Sequence, residues 1–225
     1  MKSDEIKAMR VRRRITQDEM AQKLGVSRPT YIKIEEGERE LTVSQAATIQ
    51  DVLGVNILGL VEASRDNIAK YRSMLLAAIH YGGSDGDGRI TKTKLAKLLY
   101  FFDAQWFKDT GSTMSGMTYR KLPQGPVPYE FFQTVDQLAA EGSLTIKFSG
   151  LAQMIGATEP FVPIESSSGL KPGELELIEK ICSTWKDKRT DAIVNLSHEH
   201  PTWSNAVDYG SINMADLEHY KGSIY

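Results

Sequence analysis

In a chain of 225 residues, few side chains stand at spacings that do chemistry. Metal binding is the first chemistry to weigh. In SDGDGRIT, setting Gly88 at the glycine of a calcium loop places Asp85 and Asp87 at its third and fifth positions and Ile90 at its eighth. The same alignment puts Gly83 at the first position and Lys94 at the twelfth, where calcium needs an acid and a bidentate glutamate. A cation in the bidentate place argues against that ion, and the stretch reads as a solvated turn. His198 and His200 are two apart, so on a helix they face different sides and cannot share an ion. Cys182 is the only cysteine, which leaves neither a disulfide framework nor a thiolate zinc cluster; it reads as a small buried residue in a reducing compartment. No nucleophile elbow, Walker loop, dinucleotide fingerprint or H-E-x-x-H is present. The reading is of a protein that is not an enzyme and that needs no cofactor and no metal.

A different chemistry stands out between residues 27 and 33. Ser27, Arg28, Thr30, Tyr31 and Lys33 form a donor-rich run of the kind that reads base edges and phosphates, arginine being the usual bidentate partner of guanine. The surrounding charge agrees. Met1–Lys33 carries nine lysines and arginines against four acids, a net of +5, whereas the whole chain is −2, so the remainder is −7. Such a split points to a polyanion-binding module joined to something else.

The elements that must position these residues follow from capping and periodicity. Ser3 or Asp4 caps a first helix with Ile6 and Met9 inward. Thr16 opens a second as T-Q-D-E, a capping box with Glu19, and Gly25 closes it. Ser27 caps a third, with Pro29 in its first turn. Val43–Leu53 and Ile57–Val61 supply two further amphipathic pieces, separated by Gly54. A boundary falls near Glu62–Asp66. Beyond it, helical spacing runs over Asp66–Tyr81 and Thr91–Lys108, then Tyr129–Ala140, Pro172–Trp185 and from Asp191 to Ser197. Leu144, Ile146 and Phe148 alternate with Thr145 and Lys147 as in a half-buried strand, and Phe161, Val162 and Ile164 are its expected partner. The composition, 41% apolar and 25% charged, is that of a soluble chain with a real core. LAKLLYFF is far shorter than the ~20 residues of a bilayer span, and the first residues lack a signal peptide's apolar core. The expectation is a cytoplasmic protein with no membrane contact.

The pattern T-Q-x-E-x-A-x-x-x-G-V-S-R-x-T-Y-x-x-I-E-x-G over Thr16–Gly37 resembles the helix-turn-helix of the Cro/repressor (XRE) family. Ala21 is small where two helices cross, Gly25 turns the chain, Val26 plugs the core and Ile34 anchors the recognition helix from beneath. The resemblance implies that Arg28 and Thr30 read bases and that Tyr31 and Lys33 reach bases or backbone. Ser27 joins them on that outward face. Gln17 would meet a phosphate at a helix N-terminus, with Arg13 and Arg14 adding phosphate contacts. It further implies a homodimer on a pseudo-palindromic operator.

YRKLPQGPVPYEFF, from Tyr119 to Phe132, packs three prolines between aromatics. Proline fixes φ and lacks a donor, so neither a helix nor a central strand is expected through it. It reads as a rigid corner: Gly125 makes the turn, Pro126 and Pro128 fix the entry into the following helix, and the aromatics close over Leu98, Phe101 and Trp106. Taken with K-L-A-K-L-L-Y-F-F-D-A from Lys94, G-x-x-x-S-G-M-T-Y from Gly111 and L-S-H-E-H-P-T-W from Leu196, this stretch resembles the Panacea domain of SocA-like antitoxins. The expected fold is mainly α: a five-helix lambda-repressor-like domain over 1–62, a connecting helix and loop over 63–90, and a mostly helical α+β Panacea domain over 65–225 with a small antiparallel β element. The resemblance implies a type II antitoxin that binds a cognate toxin encoded nearby and represses its own operon. Tyr100, Phe101, Trp106, Tyr119, Gln124, Pro126 and Tyr129 are the candidate toxin contacts. Two other readings fit the sequence: a repressor, phage-encoded or not, whose second domain senses a ligand or protein, and an adaptor that delivers its partner to a protease.

Overall fold

The computed structural model describes residues 3–39, 42, 45, 48–49, 52–53, 65–84, 86–162 and 169–225. The chain divides into two units, Met1–Glu62 and Ala63–Tyr225.

The first unit is helical. Helices α1 (Ser3–Arg12), α2 (Gln17–Lys23) and α3 (Arg28–Glu35) pack over Ile6, Ile15, Met20, Leu24, Tyr31 and Ile34, joined by Ile49, Val52 and Leu53. Caps fix where they begin. Glu19 N donates to Thr16 Oγ1 (3.2 Å) while Thr16 N donates to Glu19 Oε2 (2.6 Å), so two otherwise orphaned amides at the start of α2 are satisfied reciprocally. Gly25 at φ +63° makes the turn, and Ser27 caps α3 by accepting from Thr30 N. Residues 45, 48–49 and 52–53 are helical within the expected Val43–Leu53. Gly54 and Ile57–Val61 lie outside the described residues.

The second unit is built around one helix. α4 (Arg65–Gly82) and α5 (Lys92–Thr110) pack with α7 (Pro172–Trp185), and α5 also meets α8 (Thr190–Glu199). α5 opens on Thr91, whose side chain accepts from Lys94 N, and closes on Gly111 at φ +77°. Every residue from Lys94 to Ala104 is buried, so this stretch of the helix is covered on all sides and not on a single stripe. Three antiparallel strands, β1 (Ile90–Thr91), β4 (Leu144–Ser149) and β5 (Ala152–Ala157), form a sheet ordered β1-β5-β4. Ile155 of β5 sits between Ile90 and Ile146 and seals the sheet onto the core. α6 (Tyr129–Ala140), the short α9 (Pro201–Ser204) and a 3-10 turn (Met214–Leu217) complete the unit.

Two expectations need correction. The partner of β4 is Ala152–Ala157, reached by a tight turn with Gly150 at φ +59°; Phe161 and Val162 are in no strand, and Ile164 lies outside the described residues. Small residues in AQMIGA gave it little strand character, yet the turn places it in register. Likewise the proline stretch is a β-hairpin, β2 (Tyr119–Leu122) against β3 (Gly125–Pro128), turning at Pro123 and Gln124. Strand geometry tolerates the prolines because Pro126 and Pro128 lie two apart. Their missing amides both fall on the edge of β3 away from β2, where no ladder bond is needed. Tyr119 and Lys121 bond on the other edge of β2: Ile212 N donates to the Tyr119 carbonyl (2.9 Å) and Lys121 N to that of Gly210 (3.0 Å).

The C-terminal segment is tied down by His200. Tyr100 Oη lies 2.8 Å from His200 Nδ1 and 2.6 Å from Thr202 Oγ1, and His200 Nε2 lies 3.2 Å from the Ser223 carbonyl. A neutral ring satisfies this chain, with Nε2–H donating to Ser223 and Nδ1 accepting from Tyr100. Burial pushes the His200 pKa down to about 4. Because the folded value lies below the ordinary histidine value, the unfolded chain binds the extra proton between pH 6.5 and 4, so stability falls with pH across that window. The loss from this group is about 2–3 kcal/mol. Chemical denaturation from pH 7 to 4 will show a steeper loss for the native protein than for His200→Gln; parallel curves would refute the assignment.

Candidate functional site

The outward face of α3 carries most, but not all, of the residues expected to contact DNA. Ser27, Arg28 and Lys33 are exposed and Thr30 half-buried, with the Ser27 and Thr30 hydroxyls 2.9 Å apart at the helix N-terminus. Tyr31 is different. It is fully buried, and its hydroxyl donates to Glu35 Oε1 at 2.9 Å. Four residues before Glu35 on one helix, it falls on the inner face, so the expectation of a DNA contact there is corrected. Burial and that bond raise its pKa.

Glu35 is the hub of this unit. Arg10 Nη2 donates to Glu35 Oε2 at 3.2 Å and Arg10 Nε to Oε1, while Arg10 Nη1 donates to the Ile15 carbonyl (2.8 Å). Burial alone would raise the Glu35 carboxyl, but bonds from Arg10, Gln17 and Tyr31 outweigh it and hold it below the usual range. The pair ties α1 to α3 and so fixes the tilt of α3. Gln17 extends the network outward: its amide donates to Glu35 Oε2 (2.9 Å) and its carbonyl accepts from Arg28 Nη2 (3.2 Å). Asp18 lies 3.6 Å from Arg28 Nε. The Gln17 side chain therefore holds Arg28 in place. Arg14 is exposed in the left-handed region at φ +57°, and Arg13 is half-buried beside it. Over residues 1–62 ten basic residues meet ten acidic ones, so the unit is neutral overall and its excess of positive charge lies within residues 1–33.

In the second unit the singled-out motifs converge on α5. Lys97, Tyr100 and Asp103 are three residues apart, share one side of the helix and are each wholly buried. Lys97 Nζ donates to the Pro126 carbonyl at 2.9 Å, and burial lowers its pKa to about 7. Tyr100 holds His200 and Thr202 as described. Asp103 accepts from Ser115 N (2.7 Å), from Ser115 Oγ and from Tyr119 Oη (2.7 Å). Burial nevertheless keeps the Asp103 carboxyl above the ordinary aspartate range. The glycine of the hairpin is required by the same packing: a Cβ on Gly125 would stand 2.7 Å from Ser197 Oγ and 2.9 Å from Lys97 Cε, at a φ of +99°. His198 stacks on Trp203 with ring centroids 3.9 Å apart, and the Lys121 ammonium caps Trp203 at 4.5 Å.

The candidate toxin contacts therefore divide. Tyr100, Phe101, Tyr119 and Pro126 are buried in the frame, so that expectation is corrected: Tyr100 and Phe101 lie in the covered stretch of α5, and Tyr119 and Pro126 in the hairpin packed against it. Gln124 is exposed at the hairpin turn, and Trp106 and Tyr129 are half-buried, Tyr129 beneath the Arg120 guanidinium at 4.5 Å. Lys97, Asp103 and Ser115 were missed as buried anchors; only the three-residue spacing of Lys97, Tyr100 and Asp103 could have flagged them. Asp87 of the decoy loop caps its own turn, accepting from Ser84 Oγ (2.6 Å) and Arg89 N (3.1 Å). Among the described residues, no group of three His, Cys, Asp or Glu side chains is placed to hold a metal ion, and no helix is long and apolar enough to cross a membrane.

Comparison with known families agrees with both halves of this geometry. Residues 6–60 match a helix-turn-helix family model, and residues 95–204 match the antitoxin SocA-like, Panacea domain. The chain is thus an XRE-type helix-turn-helix domain fused to a SocA-like Panacea antitoxin domain. Neither is an enzyme family. Neither a curated protein nor a solved structure gave a match.

Removing one partner of the buried pair leaves an uncompensated charge. Arg10→Ala will destabilise the first unit by about 3 kcal/mol, read as a lowered melting transition. An unchanged transition would show that Glu35 does not depend on Arg10.

Proposed function

We propose that the chain is the antitoxin of a type II toxin–antitoxin pair. Its second unit binds a cognate toxin, encoded nearby, directly and masks it. Its first unit, acting as a homodimer, binds a pseudo-palindromic operator and represses the shared operon. The observation that carries this reading is the SocA-like Panacea antitoxin domain over 95–204, preceded in the same chain by a helix-turn-helix over 6–60. The fate of the motif residues supports it. Lys97, Asp103 and His200 are engaged in internal hydrogen bonds, which suits a preformed binding frame and two binding events without chemistry.

On the DNA side, α3 enters the major groove with its N-terminal residues on base edges. Arg28 reads a base, Ser27 and Thr30 present hydroxyls, and Lys33 meets the sugar-phosphate backbone. Gln17 sets the Arg28 rotamer, and Arg13 and Arg14 meet flanking phosphates, which fix register without reading sequence. On the toxin side, Gln124, Tyr129 and Trp106 are the surviving contacts from the motif region.

In a gel shift against its own promoter, Arg28→Ala will cost about 1–3 kcal/mol of operator binding and relax the preference at one base pair. Unchanged affinity and preference would remove Arg28 as the reader. Coexpression with each neighbouring reading frame will restore growth and co-purify one small toxic protein, and Gln124→Arg with Tyr129→Ala will weaken that capture. Growth that never depends on the chain in any pairing would overturn the antitoxin reading.

A further inference from the structure

Two side chains meet Arg28 along one side of its guanidinium. In that planar fork Nε and Nη2 are neighbouring donors on the side, while Nη1 and Nη2 together form the tip. Gln17 Oε1 accepts from Nη2 at 3.2 Å, and Asp18 Oδ2 lies 3.6 Å from Nε. The Gln17 amide cannot turn over and withdraw its oxygen. Its Nε2 donates to Glu35 Oε2 (2.9 Å), and a carboxylate only accepts, so the carbonyl must face Arg28. Asp18 differs from Gln17 in carrying charge. It stands in the first turn of α2, where the helix dipole favours an anion, and its side chain is 75% exposed beside an Arg28 that is 54% exposed.

An ion pair so exposed contributes little to stability, so its effect falls on what Arg28 binds. An arginine beside DNA has two kinds of acceptor. Phosphate oxygens stand at every step of the duplex, whereas the O6 and N7 pair of guanine stands in the major groove only at a G·C pair. A phosphate that takes the side of the guanidinium must approach the Asp18 carboxylate, and the two anions repel at that separation. The tip, turned from Asp18, reaches a base edge without that cost.

We propose that Asp18 is a positioning residue that makes Arg28 a reader of guanine: it holds the side of the guanidinium, keeps phosphates from it and leaves the tip for O6 and N7. Discrimination between sequences rises while general affinity for DNA falls, because part of the selectivity comes from rejecting the wrong acceptor. Gln17 supplies the direction and Asp18 the rejection. The inference rests on the DNA reading by Arg28 proposed above, and names the base it reads and the residue that enforces the choice.

The full chain is titrated with its own promoter, with copies of it altered one base pair at a time, and with an unrelated duplex of equal length. Asp18→Asn will raise affinity for the unrelated duplex about threefold to fivefold, a gain that shrinks as salt is raised. It will lower the ratio of promoter to unrelated binding about tenfold, with the lost preference falling on the G·C pair that Arg28→Ala also relaxes. Asp18→Glu, which keeps the charge, will stay closer to the native ratio. In an Arg28→Ala background Asp18→Asn will still raise general affinity but will leave base preference as it was. Because both side chains are exposed, all of these variants will melt with the native chain. A ratio unchanged by Asp18→Asn overturns this inference, while the effect of Arg28→Ala leaves the DNA reading standing. A preference lost evenly over all positions overturns it too, since the charge would then act without Arg28. A native chain that binds every duplex alike overturns the DNA reading and this inference together.

Discussion

A polar group taken out of water must find a partner inside the protein, and α5 makes that demand three times along one line. Lys97, Tyr100 and Asp103 sit on a stretch of helix covered on every side, where an unmet hydrogen bond costs several kcal/mol. Each is met by a segment distant in sequence. Lys97 takes the Pro126 carbonyl, Tyr100 takes His200 and Thr202, and Asp103 takes Ser115 and Tyr119. These bonds tie the hairpin, the loop after α5 and the C-terminal segment to the central helix. Apolar burial drives the collapse of the unit; the line of polar residues selects one arrangement of its loops.

The four sequence motifs of this unit are thus one hydrogen-bonded system seen from four places. K-L-A-K-L-L-Y-F-F-D carries the demanding side chains; G-P-V-P, S-G-M-T-Y and S-H-E-H-P-T-W carry what satisfies them. A motif of this kind specifies the frame and leaves the choice of partner to residues outside it. The same device recurs in the first unit at smaller scale. Arg10, Tyr31 and Gln17 converge on Glu35, and α3 takes its orientation from a buried carboxylate.

Much of the helical framework was legible because its ends are chemically marked. Pro172–Trp185 and Tyr129–Ala140 begin at proline signals, and Thr16 and Ser27 carry oxygen caps that say where a backbone amide needs an acceptor. What was not legible depended on tertiary partners. β3 is a strand only because its prolines face away from β2. β5 is a strand because a turn returns it to β4, although its residues favour no strand. Tyr31 reads as a DNA contact and Tyr100 and Tyr119 as toxin contacts because tyrosine suits either environment, and what decides is the buried partner each hydroxyl finds: Glu35, His200 and Asp103.

Lys97 shows what this arrangement selects for. An aliphatic side chain of similar volume would fill the site without the desolvation penalty that brings its pKa to about 7. Since the folded value lies below the unfolded 10.5, the unfolded chain holds the extra proton between those values. The cost of the amine is therefore full below pH 7 and relieved as pH rises towards 10.5. Near neutrality the buried amine carries a desolvation cost that a methionine would not impose. What methionine cannot do is donate to the Pro126 carbonyl, on the edge of a strand whose prolines offer no donor there. The lysine exchanges stability for a fixed position of the hairpin, whose turn is thereby ordered in advance.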